Sequence, residues 1–110
     1  MVMENGLYLA QFVVGSSAGY GVAMIRDGQV DGGDSSYWWE GTLTTNEDTF
    51  SGELMVRQHS SGTPSVFGFF DSFSLKLSGV RNGNALQAQG STPAAPGRPM
   101  QLNLSLLKSN

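Results

Sequence analysis

The chain has one histidine, His59, which is followed by Ser60 and Ser61. An imidazole can act as general base toward a serine hydroxyl when a carboxylate orients the ring. No motif typical of a serine nucleophile surrounds this group, and the strand alternation places His59 on a polar face with Arg57. We therefore interpret His59 as a solvated side chain at the end of a strand. We expect no catalytic residue and no enzyme activity.

Three aspartates, Asp27, Asp31 and Asp34, occupy a glycine-rich stretch. Their carboxylates are the type of ligand that Ca²⁺ takes, but the ligand spacing and the distal glutamate of an EF-hand are missing. We therefore expect Asp27 in a hairpin turn and Asp34 bonded to its own loop. The adjacent Gly32 and Gly33 are typical of a bulge. We expect neither a metal site nor a cofactor.

Two adjacent tryptophans, Trp38 and Trp39, must face opposite sides if they lie on a strand. Trp39 has the parity of Leu43, so we expect it to point inward and Trp38 to point outward. An outward Trp38 near Tyr20 or Met55 would form the exposed apolar patch that often marks a partner surface. The alternative is a tryptophan packed beneath a loop.

An aromatic segment contains Phe67 and Phe69 on one face of a strand-like alternation and Phe70 on the other. These rings could line a cavity for a lipid-like ligand, fold in as a plug, or pack within an ordinary core, which is the favoured role. Together with Trp39 and Leu54, Phe67 and Phe69 are our candidates for residues that line a ligand cavity.

Glu47 and Asp48 are the only adjacent pair of acidic residues, and they follow Asn46 at the expected tip of a hairpin. Acidic residues are common in turns, where they favour the turn and keep the protein soluble. A charged tip can also be a docking point for a basic partner.

The elements that must position these residues have a period of two. Apolar and polar residues alternate along 7–14, 22–25, 50–56, 73–78, 86–89 and 100–106. Asp27-Gly28 between two such runs is a strong hairpin signal, and glycine- or proline-rich breakers separate the others. About eight short strands at this spacing predict an all-β protein. We favour one domain, 1–110, folded as a small antiparallel up-and-down barrel.

The composition excludes several classes of protein. The 110 residues include no cysteine, only 14% are charged, and the net charge is −3. Six scattered Lys and Arg residues form no basic stripe, so we expect no nucleic-acid partner. We find no apolar run long enough for a membrane helix and no signal peptide, and we expect a cytoplasmic protein that does not bind membranes.

The sequence resembles the GrlR-type negative regulators of type III secretion gene expression. The resemblance lies in the opening Glu4-Asn5-Gly6-Leu7-Tyr8, in the block at 19–34 that ends in Gly32-Gly33-Asp34, and in the step Trp39-Glu40-Gly41-Thr42-Leu43. It is clear across about residues 1–50 and fainter through 65–66. It implies a calycin-like, lipocalin-like β-barrel with an apolar cavity, usually a homodimer and not an enzyme.

The resemblance also implies a way of working. The secretion-system member sequesters a helix-turn-helix transcriptional activator through an exposed Glu-Asp-Glu-Asp run, of which Glu47 and Asp48 are the matching residues here. A regulatory protein that binds such a transcription factor is the first hypothesis, with Glu47, Asp48 and Trp38 as partner-binding candidates. An intracellular carrier of an apolar small molecule is the second.

Overall fold

The computed structural model describes residues 4–61, 65, 67, 70–83 and 85–109. Within this part of the chain the strands are β1 (Gly6–Val14), β2 (Ser17–Arg26), β3 (Gln29–Gly33), β4 (Tyr37–Asn46), β5 (Thr49–Gln58), β6 (Ser72–Asn82), β7 (Ala85–Ser91) and β8 (Met100–Ser109). Each strand pairs with its sequence neighbours, and β1 also pairs with β8, so the sheet closes into a barrel. The expected antiparallel up-and-down barrel of eight strands is confirmed.

All the strand pairs are antiparallel, and the register shifts only between Leu7 and Tyr8, where β1 meets β8. Closure removes the exposed sheet edges that would otherwise pair with other chains. It also gives every strand one face toward the barrel interior, which is why the apolar residues recur with a period of two.

The interior is filled by the side chains that this alternation selects. Phe73, Leu75 and Leu77 of β6 are buried, and the intervening Ser74 and Lys76 are exposed. The same pattern holds in the other strands, whose buried apolar residues include Tyr8, Ala10, Ile25, Trp39, Leu43, Phe50, Val56, Leu86, Ala88, Met100, Leu102 and Leu104.

The two ends of the barrel differ in their connections. At one end, called here the closed end, the β2–β3 and β4–β5 hairpins turn at Asp27-Gly28 and Glu47-Asp48. At the other, called the open end, β3, β5 and β7 end and β4, β6 and β8 begin, with 34–36, 59–71 and 92–99 between them in the sequence. Asp27 and Gly28 have φ of 51° and 82°, the left-handed pair of a type I′ hairpin turn.

Gly32 and Gly33 form no bulge, contrary to the expectation. Val22 pairs with Gly33 and Ala23 with Gly32 in regular register. A Cβ on Gly32 would lie 2.5 Å from Trp39 Nε1, and one on Gly21 would lie 2.6 Å from Trp39 Cη2. Gly21 and Gly32 therefore leave room for the Trp39 indole against the barrel wall.

In the part of the chain that the structure describes, there is no helix of the length and apolar character needed to cross a membrane.

Candidate functional site: an apolar cavity and an acidic hairpin tip

A cavity of about 270 Å³ occupies the barrel interior and reaches the open end. Its walls are mainly apolar side chains from every strand except β7. Three of the cavity candidates from the sequence, Trp39, Leu54 and Phe67, contribute to this lining. The fourth, Phe69, lies outside the described residues.

Trp39 is held by its neighbours in a fixed position on the cavity wall. Its ring meets Phe12 edge to face, with centroids 6.0 Å apart, and Trp39 is only 8% exposed. The strand parity of Trp39 explains its inward direction, and the side-chain-free glycines opposite explain how so large a ring fits. The indole is therefore an intrinsic reporter of anything that enters the cavity.

The strand-like alternation predicts that Phe67 and Phe70 face opposite ways, but in the structure they do not. Both rings contact Phe73, with centroids at 5.4 and 6.3 Å. The alternation fails because Phe67 lies in a turn of the β5–β6 connection rather than in a strand. Phe67 is 2% exposed and reaches the cavity from this connection, while the Tyr37 hydroxyl donates to the Phe70 carbonyl.

Polar groups gather where the cavity reaches the open end. Asp34, Ser35 and Ser36 belong to the lining, and they connect β3 to β4. Asp34 Oδ1 accepts hydrogen bonds from the backbone N–H of Ser36 at 2.9 Å and of Tyr37 at 2.8 Å. The expectation that Asp34 bonds to its own loop is therefore confirmed. Its place at the cavity mouth was missed, because strand alternation does not extend into a connection.

His59 is tied to the same connection. Its Nε2 lies 3.0 Å from the Asp34 carbonyl oxygen, and its Nδ1 lies 2.7 Å from Ser60 Oγ. Because a carbonyl can only accept, Nε2 donates to the Asp34 carbonyl, and in the neutral ring with this tautomer Nδ1 accepts from the serine hydroxyl. The backbone N–H groups of His59 and Ser60 also donate to the Ser36 carbonyl. These bonds attach the end of β5 to the cavity mouth.

The floor of the cavity is a packed layer at the closed end. Tyr8, Ile25 and Leu86 are at most 1% exposed, and none of them belongs to the cavity lining. The Tyr8 hydroxyl donates to the Glu4 carbonyl at 2.6 Å. Burial raises the pKa of Tyr8 above its ordinary value of 10.0; the Glu4 carboxylate adds to the rise, and Arg81 opposes it.

The cavity is large for a protein of this size. If it were dry and empty, the contacts missing from its walls would cost roughly 6.5 kcal/mol of stability, at about 24 cal/mol per Å³. That is comparable with the total stability of about 5–15 kcal/mol that small domains possess. Water entering at the mouth reduces this cost, but an apolar occupant would remove more of it.

The acidic hairpin tip lies at the closed end, away from the cavity mouth. Glu47 and Asp48 are exposed, and the Asp48 carbonyl accepts from the backbone N–H of Arg81 at 2.7 Å. Glu47 has φ of 59°, a left-handed conformation that costs a residue other than glycine roughly 1–2 kcal/mol. Such local strain is often concentrated where a side chain has a functional role.

Trp38 points outward, as expected, and belongs to an apolar face on the barrel wall. We define this face by Tyr20, Val22, Trp38 and Met55, which are 67%, 42%, 38% and 36% exposed; Tyr20 also borders the cavity. Val22, Gly33 and Trp38 form one row across β2, β3 and β4, so no side chain separates the valine from the tryptophan. Arg57 lies 5.3 Å above the Trp38 ring and pairs with Glu40 at 3.3 Å.

The structure separates the partner-binding candidates instead of bringing them together. Trp38 is the second residue of β4, near the open end, and Glu47 follows the last residue of β4. The nine residue steps from Trp38 to Glu47 span about 30 Å of strand. The apolar face and the acidic tip are therefore two distinct surfaces.

Among the described residues, no group of three His, Cys, Asp or Glu side chains converges to hold a metal ion. The geometry defines a class: a small closed antiparallel barrel with an apolar cavity open at one end and acidic hairpin turns at the other.

A family model describes the same chain. It matches residues 3–99, and the chain belongs to the GrlR family of negative regulators of the type III secretion system (T3SS). The resemblance seen in the sequence is confirmed, and it extends well past residue 50. A search of curated proteins finds no match.

Proposed function

We propose that this protein is a non-enzymatic negative regulator that lowers T3SS gene expression by sequestering a basic transcriptional activator at Glu47 and Asp48. The family supports the regulatory role. A regulator of this kind meets its activator where the genes are transcribed, so the proposal places the protein in the cytoplasm. One observation carries the choice of surface: the hairpin tip has a glutamate at φ 59°, where glycine or asparagine would be less strained.

The charge around the tip also favours a basic partner. Asp27 lies in the turn of the β2–β3 hairpin at the same end of the barrel. Asn5 donates from Nδ2 to Asp27 Oδ1 and accepts at Oδ1 from the Asp27 backbone N–H, so its chain neighbour Glu4 is also close to Asp27. Arg26, Arg81 and Lys108 lie at the same end, so the four carboxylates exceed the cations there by one charge. Charges at the rim of an interface chiefly set the association rate and its dependence on salt.

The test compares tagged wild-type protein with the double variant Glu47→Gln/Asp48→Asn in quantitative pull-downs from the native host. We expect the wild type to retain a basic DNA-binding protein and the variant to lose most of it, with the larger difference at low salt. A T3SS promoter reporter in the same cells should be repressed by the wild type and relieved in the variant.

The matched control is Asp31→Asn/Glu53→Gln, which removes the same charge from exposed positions on the barrel wall. We expect this control to retain the partner. If both variants lost the partner equally, net charge alone would explain the binding. If the tip variant retained the partner, docking at Glu47 and Asp48 would be refuted.

A second candidate function is supported by the cavity. We propose that the barrel holds an apolar small molecule, because an unfilled cavity of about 270 Å³ is costly and its walls are apolar. Native mass spectrometry of protein purified from the host tests this directly. A co-purified small molecule supports the carrier function, and a barrel without any bound mass under non-denaturing conditions contradicts it.

We propose that the apolar face is the contact of a homodimer. Glu40 beside this face is paired with Arg57, so Asp31, the cross-strand neighbour of Glu40, is the main charge that a second copy would meet there. An apolar face suits a second copy better than it suits a basic activator.

Sedimentation equilibrium tests the homodimer. Val22→Asp should shift the protein toward monomer, because it places a charge in the centre of the face. Val80→Asp is the matched control, since Val80 is an exposed strand valine, 51% accessible, on β6. A monomeric wild type, or equal dissociation by both variants, would overturn the assignment.

A further inference from the structure

We infer that the cavity accepts a medium-chain amphiphile whose head group donates hydrogen bonds and carries no negative charge. The Asp34 carboxylate at the mouth is the residue that imposes this preference. The inference rests on the second proposed function, that the cavity holds an apolar small molecule, and it names the chemical class of that molecule.

The volume sets the size of the apolar part. An apolar cavity of about 150 Å³ holds benzene, with its six carbons. On that scale a cavity of about 270 Å³ holds about ten non-hydrogen atoms. A straight chain of about eight carbons with its head group at the mouth meets this limit, whereas a long-chain lipid would extend far outside the barrel.

The lining sets the charge of the head group. Of the charged residues that the structure describes, Asp34 alone belongs to the lining. Its Oδ1 is fixed by the N–H groups of Ser36 and Tyr37, so the carboxylate is held at the mouth. An entering carboxylate would meet this negative charge in a partly desolvated place, where repulsion is stronger than in bulk water.

The cations near the open end do not offset Asp34 inside the cavity. Arg98 donates from Nη1 to the Phe67 carbonyl at 3.1 Å and is not part of the lining. Arg57 lies on the outer face, above Trp38 and beside Glu40. A head group that donates to the Asp34 carboxylate, as an alcohol or an ammonium does, is therefore favoured over one that is an anion.

The test measures binding of three ligands with the same eight-carbon chain: 1-octanol, octylammonium and octanoate. The full-length variant Trp38→Phe leaves Trp39 as the only tryptophan, so its fluorescence reports the cavity. We expect octanol and octylammonium to bind, and octylammonium to bind at least about ten-fold more tightly than octanoate at low salt. The ratio should narrow as salt rises.

Asp34→Asn separates charge from structure, because asparagine keeps the oxygen that accepts from the two N–H groups. We expect this variant to bring the octylammonium-to-octanoate ratio close to one. Asp31→Asn, which changes the same charge at an exposed position outside the lining, should leave the ratio unchanged. Arg98→Gln should also leave it nearly unchanged.

The outcomes distinguish the inference from the function on which it rests. Leu54→Trp fills the cavity and should lower the amount of small molecule that co-purifies with the protein. If none of the three ligands changes Trp39 fluorescence, and Leu54→Trp co-purifies with as much small molecule as the wild type does, both the cavity function and the inference fail. If octanoate binds as tightly as octylammonium, or if Arg98→Gln rather than Asp34→Asn changes the ratio, the cavity function stands and the head-group inference is overturned.

Discussion

At the closed end of the barrel, Tyr8, Ile25 and Leu86 are fully buried, whereas Phe12 and Leu54, which also face inward but line the cavity, remain half-buried. The same strands build both regions. The difference lies in what joins the strands at each end: short hairpin turns at the closed end, and at the open end the β1–β2 hairpin together with the longer segments that follow β5 and β7. Stability is therefore concentrated at the closed end, and the space for a ligand at the open end.

The two ends also differ in where their carboxylates lie. The closed end has the acidic hairpin tip, while the open end has a single carboxylate, Asp34, within the cavity lining. Because about 30 Å of strand separates the tip from Trp38, a protein partner and a small ligand could occupy the molecule together. The following predictions test whether the two ends are as independent as their packing indicates.

The largest effect is expected from Leu86→Ala at the closed end. Leu86 is 1% exposed in a packed layer, so its removal should create a new cavity and lower the free energy of unfolding by about 3–5 kcal/mol. Leu54→Ala only enlarges an existing space, and we expect a loss of about 2 kcal/mol or less. Urea unfolding measures both; equal losses would mean that packing does not differ between the ends.

A smaller effect is expected from Asp34→Ala at the cavity mouth. It leaves the N–H groups of Ser36 and Tyr37 without their acceptor, and we expect a loss of about 1.5–3 kcal/mol. Asp34→Asn keeps the acceptor and should lose less than half as much. Thermal and urea denaturation measure both variants, and equal losses for alanine and asparagine would show that the Asp34 side chain is not the acceptor for these two N–H groups.

Tyr8→Phe should cost about 1 kcal/mol, because it removes the hydrogen bond from the Tyr8 hydroxyl to Glu4. Its effect at alkaline pH is more diagnostic. Because burial and then Glu4 raise the pKa of folded Tyr8, the unfolded chain loses this proton first as the pH rises above 10.0. Stability from Tyr8 is therefore complete below that pH and is lost as the pH rises through the folded pKa.

The measurement is the free energy of unfolding from neutral pH to above pH 10.0, the unshifted value. The wild type should lose stability over this range more steeply than Tyr8→Phe. Tyr20→Phe is the control, since Tyr20 is 67% exposed, and its profile should follow the wild type. Parallel profiles for the wild type and Tyr8→Phe would contradict a buried tyrosine at the closed end.

The smallest effect is a gain in stability from Glu47→Gly. Glycine relieves the left-handed conformation at φ 59°, and we expect the free energy of unfolding to rise by roughly 0.5–1 kcal/mol. Asp48→Gly relieves no such strain and should lower it slightly. A stabilised Glu47→Gly that also loses the activator would connect the strain to function; destabilisation would show that the tip is not strained.

The sequence by itself determined the barrel and the direction of most of its side chains. Alternation placed Trp39 inside and Trp38 outside, and Asp27-Gly28 fixed a hairpin, because these signals act between residues close together in the chain. Family motifs before residue 50 also indicated the regulator family, which the match to residues 3–99 confirms.

Only the tertiary structure decided how these parts combine. Closure of β1 on β8 created the cavity, and the β3–β4 connection brought Asp34 to its mouth, where no local pattern predicts a position. In the sequence Gly32 is typical of a bulge, but in the structure it makes room for the Trp39 indole. Phe67 and Phe70 both contact Phe73 because they are not in a strand. Periodicity specifies which side of a strand a residue faces, while contacts between distant segments specify what it meets there.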